Sequence, residues 1–246
     1  MKKIIDIQLP SSWTELTDKQ LLFVYTLISD GYEANEIKTL CFFRWGGIEV
    51  IGRQNNGSYL VKRGKDLFEI SPVQLAELLP ALSWMDAVSP IPVRLSRIRR
   101  CKAVAADFLE VPFETFIVVD NLYQGYLQTE NDLLLDDIAS VLYGKSITLT
   151  RPQRISVFYW MVSLKNFFAR KFPDFFQPIA ASPDGNLLGS ARHSVEDAMN
   201  AQIRALTKGD ITKEAEILAL DTWRALTELN AQAKEYKELN AKFHSK

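Results

Sequence analysis

Apolar and polar positions recur in two rhythms along this chain, and the change of rhythm divides it. Leu21, Leu22, Val24, Tyr25 and Ile28 follow Thr17-Asp18-Lys19-Gln20 at helical intervals. Thr17 and Gln20 have the spacing of a capping box, in which each side chain satisfies a free backbone N–H, so a helix is predicted from there to Gly31. A second helix is expected from about Asn35 to Arg44, with Ile37, Leu40 and Cys41 on one face. Ahead of both, Ile4 to Leu9 reads as a short strand stopped by Pro10. From Ile48 to Ile70 the rhythm shortens. Runs around Val50, Tyr59–Val61 and Leu67–Ile70 are separated by Asn55-Asn56-Gly57 and Arg63-Gly64-Lys65, residues that tolerate positive φ, so two or three antiparallel strands are predicted. Ser71-Pro72 then opens a helix as cap and first residue, and Pro80 kinks or ends it before Trp84.

Ser89-Pro90-Ile91-Pro92 favours an extended chain and marks the best candidate for a linker. Everything after it reads as helix, with candidates at Ile98–Phe108, Pro112–Leu127, Asp132–Tyr143, Arg151–Phe172, Ser194–Leu206 and Thr212–Phe243. The segment from Ala181 to Asn186 is small, polar and rich in breakers, and is expected to be a surface loop. The expected fold is therefore mainly α with a small antiparallel β-hairpin block near the N-terminal third, a helix-dominated α+β class. The division expected is a small α+β region over 1–89 and a helical region over 90–246, or one continuous domain.

Two helices carry the strongest patterns. Arg151–Phe172 is apolar almost all round, as expected of a central helix covered on several sides. In the last helix Leu218, Ala219, Thr222, Trp223, Leu226, Leu229, Ala233, Tyr236, Asn240 and Phe243 form one stripe, with charged residues over much of the remaining surface. The first half of that stripe is rich in Leu and Trp and should pack into the protein. Beyond Leu229 it fades to smaller or half-polar residues, which suits either a partner groove or self-association, or a terminal helix docked along its full length on its own domain. Candidate partner contacts are Ala233, Tyr236, Leu239 and Phe243, together with Phe175 and Phe176 beyond Pro173.

Composition narrows the chemistry. The 246 residues are 47% hydrophobic and 24% charged, an ordinary globular balance, with a net charge of −1. No global field draws the chain toward nucleic acid or anionic lipid. Arg94, Arg97, Arg99, Arg100 and Lys102 do form a local basic run, which gives an alternative reading as a nucleic-acid-associated factor. Set against it is a solvated helix face, or pairing with Asp132, Asp136 and Asp137. Those carboxylates suit the first turns of a helix without any metal.

Only two cysteines occur, Cys41 and Cys101, which fit free thiols in a reducing compartment or one disulfide between them. Cys41 lies in an apolar helix that should raise its pKa, and neither His193 nor His244 sits where a catalytic base would be held. Gly46-Gly47 and Gly52-x4-Gly57 make no phosphate-binding fingerprint. No enzyme activity, cofactor or metal is expected. Met1-Lys2-Lys3-Ile4-Ile5-Asp6 lacks the apolar core of a signal peptide, and Ile155–Ala169 is too short to span a bilayer.

The stretch Leu206-Thr207-Lys208-Gly209-Asp210-Ile211-Thr212-Lys213-Glu214, with Trp223-Arg224-Ala225-Leu226 after it, resembles proteins of tailed bacteriophages and prophages encoded among tail genes. The opening, Ile7-Gln8-Leu9-Pro10 with Leu16-Thr17-Asp18-Lys19-Gln20, is similar in style to phage tail assembly chaperones. The resemblance covers about a quarter of the chain, carries no functional residues across, and leaves the β-hairpin block unmatched. It implies a non-enzymatic role in tail assembly or structure through protein–protein contacts with tail components or with itself. The place of action would be the cytoplasm of a bacterial host or the virion.

Overall fold

A computed structural model describes residues 7–176 and 201–244, and the fold is helix-dominated α+β. Its contacts divide the chain into two compact units, Met1–Ser89 with Thr150–Ser156, and Pro90–Leu149 with Val157–Lys246.

In the first unit α1 (Asp18–Ser29) starts at the capping box read from the sequence. Thr17 Oγ1 accepts from the Gln20 amide at 3.3 Å, and Gln20 Oε1 accepts from the Thr17 amide at 3.0 Å. After α2 (Ala34–Trp45) come β1 (Glu49–Arg53), β2 (Tyr59–Arg63) and β3 (Asp66–Ile70), an antiparallel sheet with β2 central. The register pairs Val50 with Val61 and Val61 with Phe68, and a bulge shifts β1 between Val50 and Gly52. Gly57 (φ +83°) and Gly64 (φ +60°) make the two turns. Ser71 caps α3 (Pro72–Leu78) through a second capping box, and beyond Leu78 the chain tightens into 3-10 turns over Leu79–Asp86, which begin at Pro80's turn. Leu27, Phe42, Val61, Ile70 and Leu82 belong to the core these elements bury.

Of the strand expected over Ile4 to Leu9, residues 7–9 are irregular, and the rest lies outside the described residues. Ile7 and Leu9 are held instead by packing on the core of the first unit.

The second unit departs from the expected all-helical text at once. The predicted helix Ile98–Phe108 is a two-stranded hairpin, β4 (Arg97–Ile98) and β5 (Cys101–Lys102), followed by an irregular loop to Val111. Then come α4 (Phe113–Thr129), α5 (Leu133–Leu142) and α6 (Arg151–Lys171). Gly125 lets α4 and α5 approach closely, since a Cβ there would stand 3.3 Å from Leu134 Cδ1. Residues 201–207 are helical (α7); the earlier part of the helix expected from Ser194 lies outside the described residues, as does the loop 181–186.

The single helix expected over Thr212–Phe243 is three elements. A 3-10 turn (Ile211–Lys213) leads into α8 (Glu214–Leu218), and α9 (Thr222–His244) starts afresh. Asp210 caps the first turn, accepting from the Thr212 hydroxyl at 2.6 Å and amide at 3.1 Å, and these bonds hold its carboxyl below the usual carboxylate range.

The break at 219–221 has a tertiary cause. The Leu220 carbonyl accepts from the Phe113 amide at 2.7 Å, while the Thr222 amide and hydroxyl both donate to the Val111 carbonyl, at 2.8 and 2.7 Å. Pro112 and Asp221 form an antiparallel bridge. A continuous helix would claim those backbone groups for itself.

The loop that receives this bridge is backbone-strained. Phe108 and Glu110 have φ of +62° and +58°, a region that favours glycine. Two tryptophans hold it: the Trp160 indole donates to the Ala106 carbonyl at 2.8 Å, and the Trp223 indole to the Asp107 carbonyl at 2.9 Å. The Phe108 ring is fully buried against Phe116, Trp160 and Phe168.

Candidate functional site

α9 begins where Asp221 gathers three amides. Its Oδ1 accepts from Trp223 and Arg224, as an N-cap does, and its Oδ2 accepts from Glu110 at 2.7 Å. Over its first turns the stripe is covered: Thr222, Ala225 and Leu226 are fully buried, and Leu229 is 4% exposed. Asn230 then ties the helix down, its Oδ1 accepting from the amides of Asp174 at 2.9 Å and Phe175 at 3.1 Å. One step further Lys237 bridges Asp174 at 2.8 Å.

The stripe itself outlasts its cover. Ala233 is half-buried, Tyr236 is 67% exposed and Leu239 53% exposed. Phe243 sits in the last turn of α9, and its side chain lies outside the described residues, as does that of His244. Tyr236 and Leu239 stand three apart and so share a face of the helix.

Phe175 and Phe176 are placed differently. Both are half-buried, and Phe176 stacks on Phe168 at 6.3 Å with the Lys165 ammonium over its ring at 5.1 Å. Phe175 packs edge-on to Phe176 at 4.8 Å, and its amide is the one held by Asn230. The pair closes the turn after α6 within its own unit.

The basic run lies on the β4–β5 hairpin and not on a helix face. Arg97 and Lys102 are register partners, so two like charges stand directly opposite, and Arg99-Arg100 is the two-residue turn. Arg99 has φ of +54° and donates to the Thr148 carbonyl at 3.4 Å. Ile98 is buried, which turns Arg97 and Lys102 outward on the other side of the ribbon. Arg94 is set apart from the others: its Nε donates to the Val104 carbonyl at 2.6 Å, and its guanidinium stands over the Trp160 ring.

The acidic run is not one exposed face. Asp132 stands at the N-cap position of α5, Asp137 is exposed, and Asp136 is buried with its Oδ1 accepting from the Leu149 amide at 3.3 Å. Asp136 therefore holds the chain that enters α6.

No family model, curated protein or solved structure matches this chain. The reading of the surface therefore rests on its own residues. Among the described residues, no group of His, Cys, Asp and Glu is arranged to hold a metal, and no helix is long and apolar enough to cross a membrane. His193 lies outside them.

Both cysteines are free thiols, and burial pushes Cys41 up to about 12, whereas Cys101 is half-buried. At pH 8 a thiol-specific aromatic disulfide reagent should therefore modify Cys101 in the folded protein and reach Cys41 only after denaturant is added. Rapid reaction of both thiols in the native state would show that the first unit's core is open.

One exposed feature carries a signal in the sequence. Leu133-Leu134-Leu135 opens α5, and three consecutive residues on a helix cannot all face one core. Leu135 is buried, Leu134 half-buried and Leu133 61% exposed. Across the turn, Leu127 on α4 is 51% exposed.

Proposed function

We propose that this protein is a non-enzymatic component of tail assembly or tail structure in a tailed bacteriophage or prophage, working through protein–protein contacts made by the outward half of α9. The observation that carries the reading is the apolar stripe that runs on past Asn230, where cover ends, to Tyr236 and Leu239. A helix needs such a stripe only as far as something packs on it, and a groove on another protein is a natural recipient. The similarity of the Leu206–Leu226 text and of the opening residues to phage tail proteins supplies the setting. In this reading the protein acts in the cytoplasm of the bacterial host or on the virion.

The test is co-expression with the products of neighbouring genes. Wild-type protein is expected to co-purify with at least one of them, and Tyr236→Ser/Leu239→Ser is expected to lose that partner without a change in unfolding midpoint. Deleting Glu238–Lys246 should behave in the same way. Deleting Asn230–Lys246 should instead cost about 2 kcal/mol, because the Asn230 hydrogen bonds and the Lys237–Asp174 pair go with it. Retention of the partner by the double variant, or no neighbour bound by the wild type, counts against the proposal.

A further inference from the structure

α5 separates two surface regions of opposite charge. At its N-terminal end the turn from α4 carries Glu130 and Asp132, with Asp137 one turn along α5, and all three are exposed. Leu133 and Asp137 lie four apart on one stripe, and Leu127 and Glu130 lie three apart on either side of the helix end, so exposed leucines and carboxylates are interleaved.

At the other end the Leu142 carbonyl accepts from the Val104 amide at 3.0 Å, and the Tyr143 hydroxyl donates to the Leu95 carbonyl at 2.8 Å. These bonds fasten the segment bearing the β4–β5 hairpin to the C-terminal end of α5. Arg99, Arg100 and Lys102 are exposed there, and Lys145, just past the helix, is exposed as well. Ten residues of helix hold the two regions about 15 Å apart.

Two left-handed backbone positions fall in these regions. Glu130 (φ +52°) is the C-cap of α4, and Arg99 (φ +54°) lies in the hairpin turn. Glycine or asparagine costs least in both places. Each is occupied by a charged residue, acidic at one end and basic at the other. Arg97 and Lys102 are register partners on the ribbon that carries the basic region.

We infer that the chain associates head to tail with copies of itself, the Arg99–Lys102 hairpin of one copy seating on the Leu127–Glu130–Leu133–Asp137 surface of the next. The inference rests on the reading of the protein as one that works by protein–protein contact, and it uses a surface other than α9. Within one copy α5 keeps the two regions apart; between copies each meets its complement. The methylene stems of arginine and lysine cover the leucines while their charged heads reach the carboxylates. Two different patches in contact make a heterologous interface, which closes into a ring or continues as a filament according to its rotation. Arg97 and Asp132 are already engaged within the chain and are left out of the pairing.

Sedimentation velocity on the full chain tests it, with far-ultraviolet circular dichroism confirming the fold of each variant. Wild type is expected to assemble at low salt and to dissociate as salt screens the contact. Arg100→Glu/Lys102→Glu should remain monomeric at low salt, and so should Glu130→Lys/Asp137→Lys. An equimolar mixture of the two should assemble again, because the reversed ends complement each other. If a double reversal fails to fold, Arg100→Gln and Glu130→Gln replace it, each lowering the association constant by about two- to fivefold. A wild type that stays monomeric at low salt, or reversed variants that assemble as it does, overturns the inference. So does a monomer whose hairpin binds a DNA oligomer and loses it in Arg100→Glu/Lys102→Glu. If the charge reversals change nothing while Tyr236→Ser/Leu239→Ser still loses its partner, the head-to-tail contact fails alone and the α9 reading stands.

Discussion

Replacing Phe108 with alanine is expected to destabilise the second unit by about 3–5 kcal/mol, the usual cost of emptying a large aromatic site. The ring is fully buried, with centroids of Phe116 and Trp160 at 6.3 Å and Phe168 at 6.4 Å, so no neighbour can fill the space without leaving another. The sharper expectation concerns glycine. At an ordinary buried site glycine is worse than alanine because it orders a looser unfolded chain. At φ +62° alanine keeps a Cβ that the left-handed backbone penalises, so Phe108→Gly should be less damaging than Phe108→Ala by about 1 kcal/mol. Denaturant unfolding of the two variants gives the order directly. Alanine proving the milder change would mean that residue 108 is not held in the left-handed region.

Asp221→Ala is expected to cost about 3 kcal/mol. It removes the cap of α9 and also leaves the Glu110 amide without its acceptor. Asp221→Asn separates the two roles. Asparagine caps a helix as well as aspartate does, but its amide nitrogen cannot accept from Glu110, so about half the loss should return. Urea denaturation of wild type, Asp221→Asn and Asp221→Ala should give three separated midpoints. Equal losses in both variants would show that capping contributes little.

These sites explain where the sequence was readable. α1 and α3 were legible because their starts are local chemistry: Thr17 with Gln20, and Ser71 with Gln74, complete their bonds within four residues. The sheet was legible because Gly57 and Gly64 mark turns whose backbone needs them. Ile98–Phe108 misled because Ile98, Cys101 and Phe108 fall at near-helical spacings among good helix formers. What decides that segment is remote: indoles from Trp160 and Trp223 take its carbonyls, and partners so distant leave no mark on local spacing. The break before α9 lies inside an unbroken helical pattern and is set by backbone bonds to Val111 and Phe113, far away in sequence. On the last helix the fading of the stripe beyond Leu229 marks the change from cover to exposure, but the bonds from Asn230 back to the turn at Asp174 and Phe175 leave no mark on local spacing.

The bridge between Val111 and Thr222 also orders events during synthesis. Its partners are 111 residues apart, so at ribosomal speeds of about 5–20 residues per second the loop waits roughly 6–22 s for its second stay. Through that interval Trp223 cannot yet hold the Asp107 carbonyl, and Asp221 cannot yet receive the Glu110 amide. The buried cluster of the first unit, from Val24 to Leu82, has been translated in full by then. A nascent chain arrested after residue 200 should therefore be protease-resistant through its first 80 or so residues and be cut readily between Ala105 and Pro112.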